Sequence, residues 1–197
     1  SDFSRQPGGE LAGLRFLAGH DRVAPAGSRF NYNTAETHML GGVLRSAIGN
    51  NLSTYLTNKI WQPFGMEHDA NWLISGESGA EDGGCCISAT LRDYGRIGLF
   101  ALRNGVLLDG TEVLPDGWME ASTTPSPGYA GYGYLWWLGG GGEGTFAGIG
   151  IFGQFIFVDP AQDVIIVTHS AWPQAVGRVF SQHQYRFATA VVDALRD

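Results

Sequence analysis

The sequence predicts an α+β fold in which helices pack on an antiparallel sheet. Three observations carry this: apolar residues at helical spacing through 34–48 and 88–104, a change to aromatic and β-branched runs from Tyr132, and a return to helical spacing from Ser181 onward. We divide the chain into an irregular lead-in over 1–24, a helical part over 25–128, and a sheet with a terminal helix over 129–197, all within a single domain portion.

The segment TAETHMLGGVLRSAIG sets Ala35, Met39, Leu40, Val43, Leu44 and Ala47 on one helical face expected to meet the core, with Thr34 as N-cap and Gly49 as the stop. A second helix is expected over NLSTYLTNKIWQ, ending at Pro63. PFGMEHDANWLISGESGAEDGG lacks a period and reads as a long excursion, the kind of loop that carries function or disorder. In the third helix Ser88 is the expected cap, Leu91, Tyr94, Ile97, Ala101 and Leu102 point inward, and Gly105 closes it. A short helix follows near LPDGWMEAS. The strands are YGYLWWL, FIFVD and VIIVTHS, the last two joined by the turn PAQD. The closing helix turns Tyr185, Ala188, Val191, Val192 and Leu195 inward.

Bulk properties exclude several functions. With 197 residues, 44% hydrophobic and 16% charged, the chain has material for one sizeable core. Its net charge of -7 has the wrong sign for binding phosphate backbones by counterion release, so no nucleic acid is expected as partner. No run reaches the roughly 20 apolar residues of a membrane-spanning helix, and the opening SDFSRQPGGE lacks an apolar leader core. Neither a membrane segment nor a cellular address is therefore expected in this chain. Cys85 and Cys86 are adjacent, so a bond between them staples no loop; we expect two small buried thiols and a reducing compartment.

The 30 glycines cluster at GGCC, GYGY and LGGGGEGTFAGIGIFG, which implies backbone approached closely by another group. Gly139, Gly141 and Gly144, and again Gly148, Gly150 and Gly153, match the dinucleotide pattern. That pattern must leave a strand and open a helix, whereas here the strand FIFVD follows, so no cofactor is expected. The five histidines show no metal-ligand spacing, and no G-x-S-x-G elbow is present.

Tyr32 stands at the entrance to the first long helix. It is either a core tyrosine with a satisfied hydroxyl or a proton-transfer group. A tyrosine phenol accepts protons near neutral pH only where a cation stabilises its phenolate. The single lysine, Lys59, has Leu56 rather than a serine three residues before it.

PAGSRFNYNTAETHMLGGVL, WQPFGMEHDANW, EDGGCCISATLRDYGRIGLFAL, LPDGWMEAST, YGYLWW and GIFGQFIFVDPAQDVIIVTHSAWP occur in this order. Together they resemble the serine β-lactamase and penicillin-recognising superfamily, specifically the esterase and amidase branch that includes 6-aminohexanoate-dimer hydrolase and family-VIII carboxylesterases. The resemblance runs from about Pro25 to near the end and implies the C-terminal part of a β-lactamase/transpeptidase-like fold. It places Tyr32 at the general-base tyrosine of a Y-x-N type motif, with Thr34 where many relatives carry Asn. It puts the third motif on Gly148, Ile149 and Gly150, without the Lys or His found in other members, and makes the Ile151 N–H half of an oxyanion hole. Ser88 is either a helix cap or a substrate contact. Trp136 and Trp137 alternate across a strand, so at most one faces a cleft.

No S-x-x-K occurs in the chain. The resemblance therefore implies a nucleophile and lysine upstream of Ser1, and a sheet edge and core face awaiting that portion as partner. The expected substrate is a small amide or ester. Rival readings are a catalytically inactive binding or assembly module, and a β-lactamase or D-Ala-D-Ala carboxypeptidase; the loss of the third-motif cation weighs against the last.

Overall fold

Helix-forming residues appear earlier than the sequence reading placed them: AGLRFLA, inside the supposed irregular lead-in, forms helix α1 (Ala12–Ala18). The computed structural model describes residues 12–49, 51–74 and 79–196, so residues 1–11 of that lead-in and part of the long excursion lie outside the described residues. The contacts fall into two compact units, one ending at Ala89 and one beginning at Thr90.

In the first unit, helix α2 (Thr34–Ile48) ends as expected on Gly49, left-handed at φ 62°, whose N–H donates to the Arg45 carbonyl. Its cap is Asn33 rather than Thr34: the Asn33 Oδ1 accepts the Ala35 N–H at 3.1 Å. Helix α3 (Leu52–Leu56), capped by Asn51, runs into a π-helical turn over Thr57–Trp61. Trp61 is buried, with its indole N–H on the His68 carbonyl at 2.9 Å. The excursion after Pro63 is not structureless: β1 (Asn71–Trp72) and β2 (Ile87–Ser88) pair antiparallel across it.

The face of α2 turned inward differs from the expected one. Met39, Leu40, Val43 and Leu44 are exposed, while His38 is buried and Gly41 and Gly42 form the contact surface. The reason is steric. A Cβ on Gly41 would stand 2.8 Å from the Gly83 Cα, and one on Gly42 2.8 Å from Leu14 of α1. Backbone meets backbone at Gly41 and the Leu14 side chain meets backbone at Gly42, approaches that the glycine stripe of α2 permits.

In the second unit, helix α4 (Leu91–Leu102) is capped by Thr90; Ser88, the expected cap, lies on β2. Thr90 accepts the Asp93 N–H and donates its hydroxyl to Asp93 Oδ2 at 2.8 Å, a reciprocal cap that Ser88 is too far upstream to make. Leu91, expected inward, is exposed, and the buried positions are Asp93, Gly98, Phe100 and Ala101. Helix α5 (Trp118–Ser122) follows near its expected place.

Four antiparallel strands then form one sheet in chain order: β3 (Trp137–Leu138), β4 (Phe146–Ile149), β5 (Phe155–Asp159) and β6 (Val164–Thr168). The expected strand YGYLWWL shortens to β3, because Leu135 takes a left-handed φ of 66° and the Tyr134 N–H donates to Ser122. β4 arises within the glycine-rich stretch. Asp159 Oδ1 accepts the Ala161 and Gln162 N–H groups and shapes the turn into β6. Helix α6 (Arg178–Ala194) closes the unit, with Ala188 and Val192 buried and Leu195 exposed beyond its end.

Strand alternation assigns the layers. Phe155 and Phe157 of β5 and Ala147 of β4 pack with Ala188 and Val192 of α6. Val158 and Ile156 of β5, with Phe146 of β4, pack with Ala101 of α4 and Met119 of α5. Helices therefore cover both faces of the sheet. Phe157 is 1% exposed, so Phe157→Ala should destabilise the second unit by about 3–5 kcal/mol, whereas Leu195→Ala should change stability by less than about 0.5 kcal/mol. Urea unfolding of the two variants checks this contrast.

Candidate functional site

The residues singled out in the sequence lie in both units. Tyr32, Thr34 and Ser88 belong to the first, and Gly148, Ile149, Gly150 and Ile151 to the second.

Tyr32 immediately precedes the Asn33 cap of α2. Asn33 is extended (φ -143°, ψ 105°), and its amide Nδ2 also donates to Glu36 Oε1 at 3.3 Å. These contacts set the direction in which the chain enters the helix. Within this chain Tyr32 is 57% exposed and lies outside the packed core. Thr34 begins the helix and is held from behind: a Cβ on Gly84 would lie 2.6 Å from the Thr34 carbonyl oxygen and 2.7 Å from its Cγ2. Ser88 is exposed on β2, with Asn71 as its partner across the ladder.

The 82–86 corner against this helix is a dense polar knot. Asp82 Oδ1 accepts the Gly84 N–H at 2.9 Å and lies 3.0 Å from Nδ1 of buried His38. The Trp72 indole N–H meets the Asp82 and Cys85 carbonyls at 2.9 and 3.0 Å. The expectation of two buried thiols is overturned: Cys85 and Cys86 are exposed and bonded to each other. The left-handed backbone at Cys86 (φ 82°) is what lets neighbours close on each other without a loop between them.

Farther along α2, Arg45 meets Glu81 at 2.6 Å, and Glu81 Oε1 accepts both the Ser53 hydroxyl at 2.6 Å and the Ser53 N–H at 3.0 Å. Burial alone would push the Glu81 carboxyl up, but these hydrogen bonds together outweigh it and leave the group below its ordinary value. His38, Arg45, Glu81, Asn51, Leu14 and Leu52 border a cavity of about 470 Å³.

In the second unit, Gly148 pairs with Ile156 and Ile149 with Phe155 in the β4–β5 ladder. The chain then turns. Gly150 donates its N–H to the Gln154 carbonyl at 2.8 Å and Phe152 donates to the Ala175 carbonyl at 2.9 Å. Ile151 is itself exposed. The turn is fastened by Gln184 Nε2, which donates to the Gly153 carbonyl at 2.7 Å, and by Trp172, whose indole fills the space a Cβ on Gly153 would need. Trp136 packs edge-on to Phe146, and Trp137 edge-on to Tyr132. Among the described residues no cluster of histidine, cysteine, aspartate or glutamate could hold a metal, and no helix is long and apolar enough to cross a membrane.

Residues 3–190 match the model of a family described as Beta-lactamase. The chain belongs to the beta-lactamase family. Within it, the chain is 30% identical over 161 residues to the 6-aminohexanoate-dimer hydrolase of Paenarthrobacter ureafaciens, covering 73% of this chain and 40% of that protein. A structure assigned as a 6-aminohexanoate-dimer hydrolase from Bacillus anthracis superposes with a TM-score of 0.81 at 27% identity, covering 93% of this chain and 48% of that one. A beta-lactamase from Mycobacterium bovis shares the fold, with a TM-score of 0.68 at 18% identity over 88% of this chain and 67% of its own. The chain thus spans less than half the length of the two hydrolases it matches. The expected α+β fold of β-lactamase/transpeptidase type is the fold found.

Sequence reasoning missed the Asn33 cap, although Glu36 three residues on is its usual companion. It also missed Asp82, His38 and Glu81, whose partners lie 44 and 36 residues away in the chain and leave no local signal.

Because the unfolded chain binds the Glu81 proton more tightly than the folded one, the stability this carboxylate contributes is present above the ordinary carboxylate range, near 4.3, and is lost as pH falls through its lowered folded value. Thermal unfolding across pH should show the wild type ahead of Glu81→Gln at neutral pH, with the gap closing in acid.

Proposed function

We propose that this chain is the C-terminal part of a serine hydrolase that transfers the acyl group of small amides or esters. A serine and a lysine from an S-x-x-K segment upstream of Ser1 complete its site. The serine attacks the carbonyl, Tyr32 and the lysine exchange its proton, and the N–H groups of the serine and Ile151 hold the oxyanion. Water then releases the acid. Thr34, Gly148, Ile149, Gly150 and Ser88 line the substrate path in this reading.

The observation that carries it is an exposed tyrosine next to a capped helix entrance, the residue to which the resemblance gives the second motif's general-base place. The name of the Paenarthrobacter relative, a 6-aminohexanoate-dimer hydrolase, supports an amide over an ester as substrate, since amino-acid units are joined through amides. Two features support the upstream segment as partner. The Met39, Leu40, Val43 and Leu44 stripe of α2 is exposed, and β6, uncharged along its whole length, is an edge of the sheet among the described residues. Without that segment the chain is an inactive module.

In the protein completed with its S-x-x-K segment, Tyr32→Phe should lower kcat on a p-nitrophenyl ester by about 10²–10⁴-fold and leave the circular dichroism spectrum unchanged. Retained burst kinetics would remove the assignment. Turnover of nitrocefin in preference to a linear amide dimer would instead favour the β-lactamase reading.

A further inference from the structure

The exposed Cys85–Cys86 bond has no part in the acyl-transfer reading, yet it closes a corner that touches the start of α2 from behind. Its two carbonyls anchor it to β1 and the residue after that strand: Cys85 accepts the Trp72 indole N–H, and Cys86 accepts the Leu73 N–H at 3.1 Å. One residue before the bond, Gly84 lies against the Thr34 carbonyl and methyl, and Gly83 against Gly41. Asp82, which receives the Gly84 and Cys85 N–H groups on its side chain and carbonyl respectively, also holds His38 on the buried side of α2. A change at the two sulfurs therefore reaches the helix entrance through four consecutive residues, without crossing solvent.

We propose that Cys85–Cys86 is a reversible thiol–disulfide site, reduced by dithiols, that latches the 82–86 corner onto the Tyr32–Thr34 entrance of α2. In the reduction a thiolate of the dithiol attacks one cysteine sulfur, the S–S bond breaks, and a mixed disulfide forms. The second thiol of the reductant then displaces the protein sulfur. The chain gains two electrons and two protons as two thiols, and the dithiol leaves as its own disulfide. Once the ring is open, nothing covalent holds Cys86 at a left-handed φ of 82°, a conformation that side-chain-bearing residues rarely adopt. The corner relaxes, and Gly84 no longer braces Thr34. Any effect on turnover rests on the proposed role of Tyr32; the latch itself does not.

The test uses the full chain with dithiothreitol as reductant. Iodoacetamide should label no cysteine in the air-oxidised protein and two after reduction; two labels without reductant would overturn the site. Hydrogen exchange of amides 34–44 should quicken on the order of tenfold on reduction, while amides of β5 keep their protection. Unchanged exchange over 34–44 would overturn the latch, and so would loss of protection in β5, which would make the bond a clamp on the whole fold. The Cys85→Ser, Cys86→Ser double variant should show the fast exchange with or without reductant. If it fails to fold, the reduced wild type still decides. If Tyr32→Phe in the protein completed with its S-x-x-K segment retains burst kinetics while exchange of this chain stays redox-dependent, the catalytic reading fails and the latch stands.

Discussion

The first unit depends on a close approach of two backbones. Gly83 and Gly84 come so near α2 at Gly41 and Thr34 that a single methyl on any of the three glycines would stand inside contact distance. An approach of this kind aligns polar groups that would otherwise be buried without partners. Asp82 is thereby brought to His38 and to the Gly84 N–H, and Glu81 to Arg45 and Ser53. In a buried setting each such group must be satisfied or the site loses free energy, and no buried side-chain nitrogen or oxygen lacks a partner among the described residues. The cap at Asn33 and the position of Tyr32 follow from where this packing sets the helix.

The second unit solves a different problem with the same residue type. Its sheet buries both faces, so β4 and β5 are apolar almost throughout, but the chain leaving β4 must expose backbone. Gly148 and Gly150 carry no side chain on either side of Ile149, and the turn that follows tolerates left-handed Phe152 (φ 64°) and Gly153 (φ 93°) because it is over-determined. Ala175 takes the Phe152 N–H, Trp172 fills the space beside Gly153, and Gln184 on α6 binds its carbonyl. Under the proposed reaction this support matters because a donor that must reorganise loses most of its advantage in holding an oxyanion.

How much of this was legible follows from how local each signal is. α2, α4, α6 and the β5–turn–β6 hairpin were readable because their periods and stop residues lie within a few positions of one another, as with Gly49 and the Asp159–Asp163 turn. Cap residues slipped by one or two positions where two candidates competed, Asn33 against Thr34 and Thr90 against Ser88. The face of α2 was misassigned for a deeper reason. Its apolar period was genuine, but period ranks side chains by hydrophobicity, whereas the contact that formed selects for absence of a side chain. The disulfide was invisible for a related reason: adjacency argues against a bond on loop geometry alone, and the left-handed backbone at Cys86 that accompanies it leaves no sequence signal.

Charge explains why the two glycine-built surfaces need a further contributor in the proposed reaction. Arg45 is committed to Glu81, and the single lysine, Lys59, sits exposed on the π-helical turn after α3. The third motif carries isoleucine and glycine where a cation would bind a substrate carboxylate. A phenol that shuttles a proton needs a positive neighbour, and an oxyanion needs a second donor beside the Ile151 N–H. A helical S-x-x-K supplies both requirements from one turn, because residues three apart lie on the same face. In the proposed reaction the nucleophile's own N–H is the second donor and its lysine the cation that the phenol requires. The exposed apolar stripe of α2 is the surface this chain offers to such a helix.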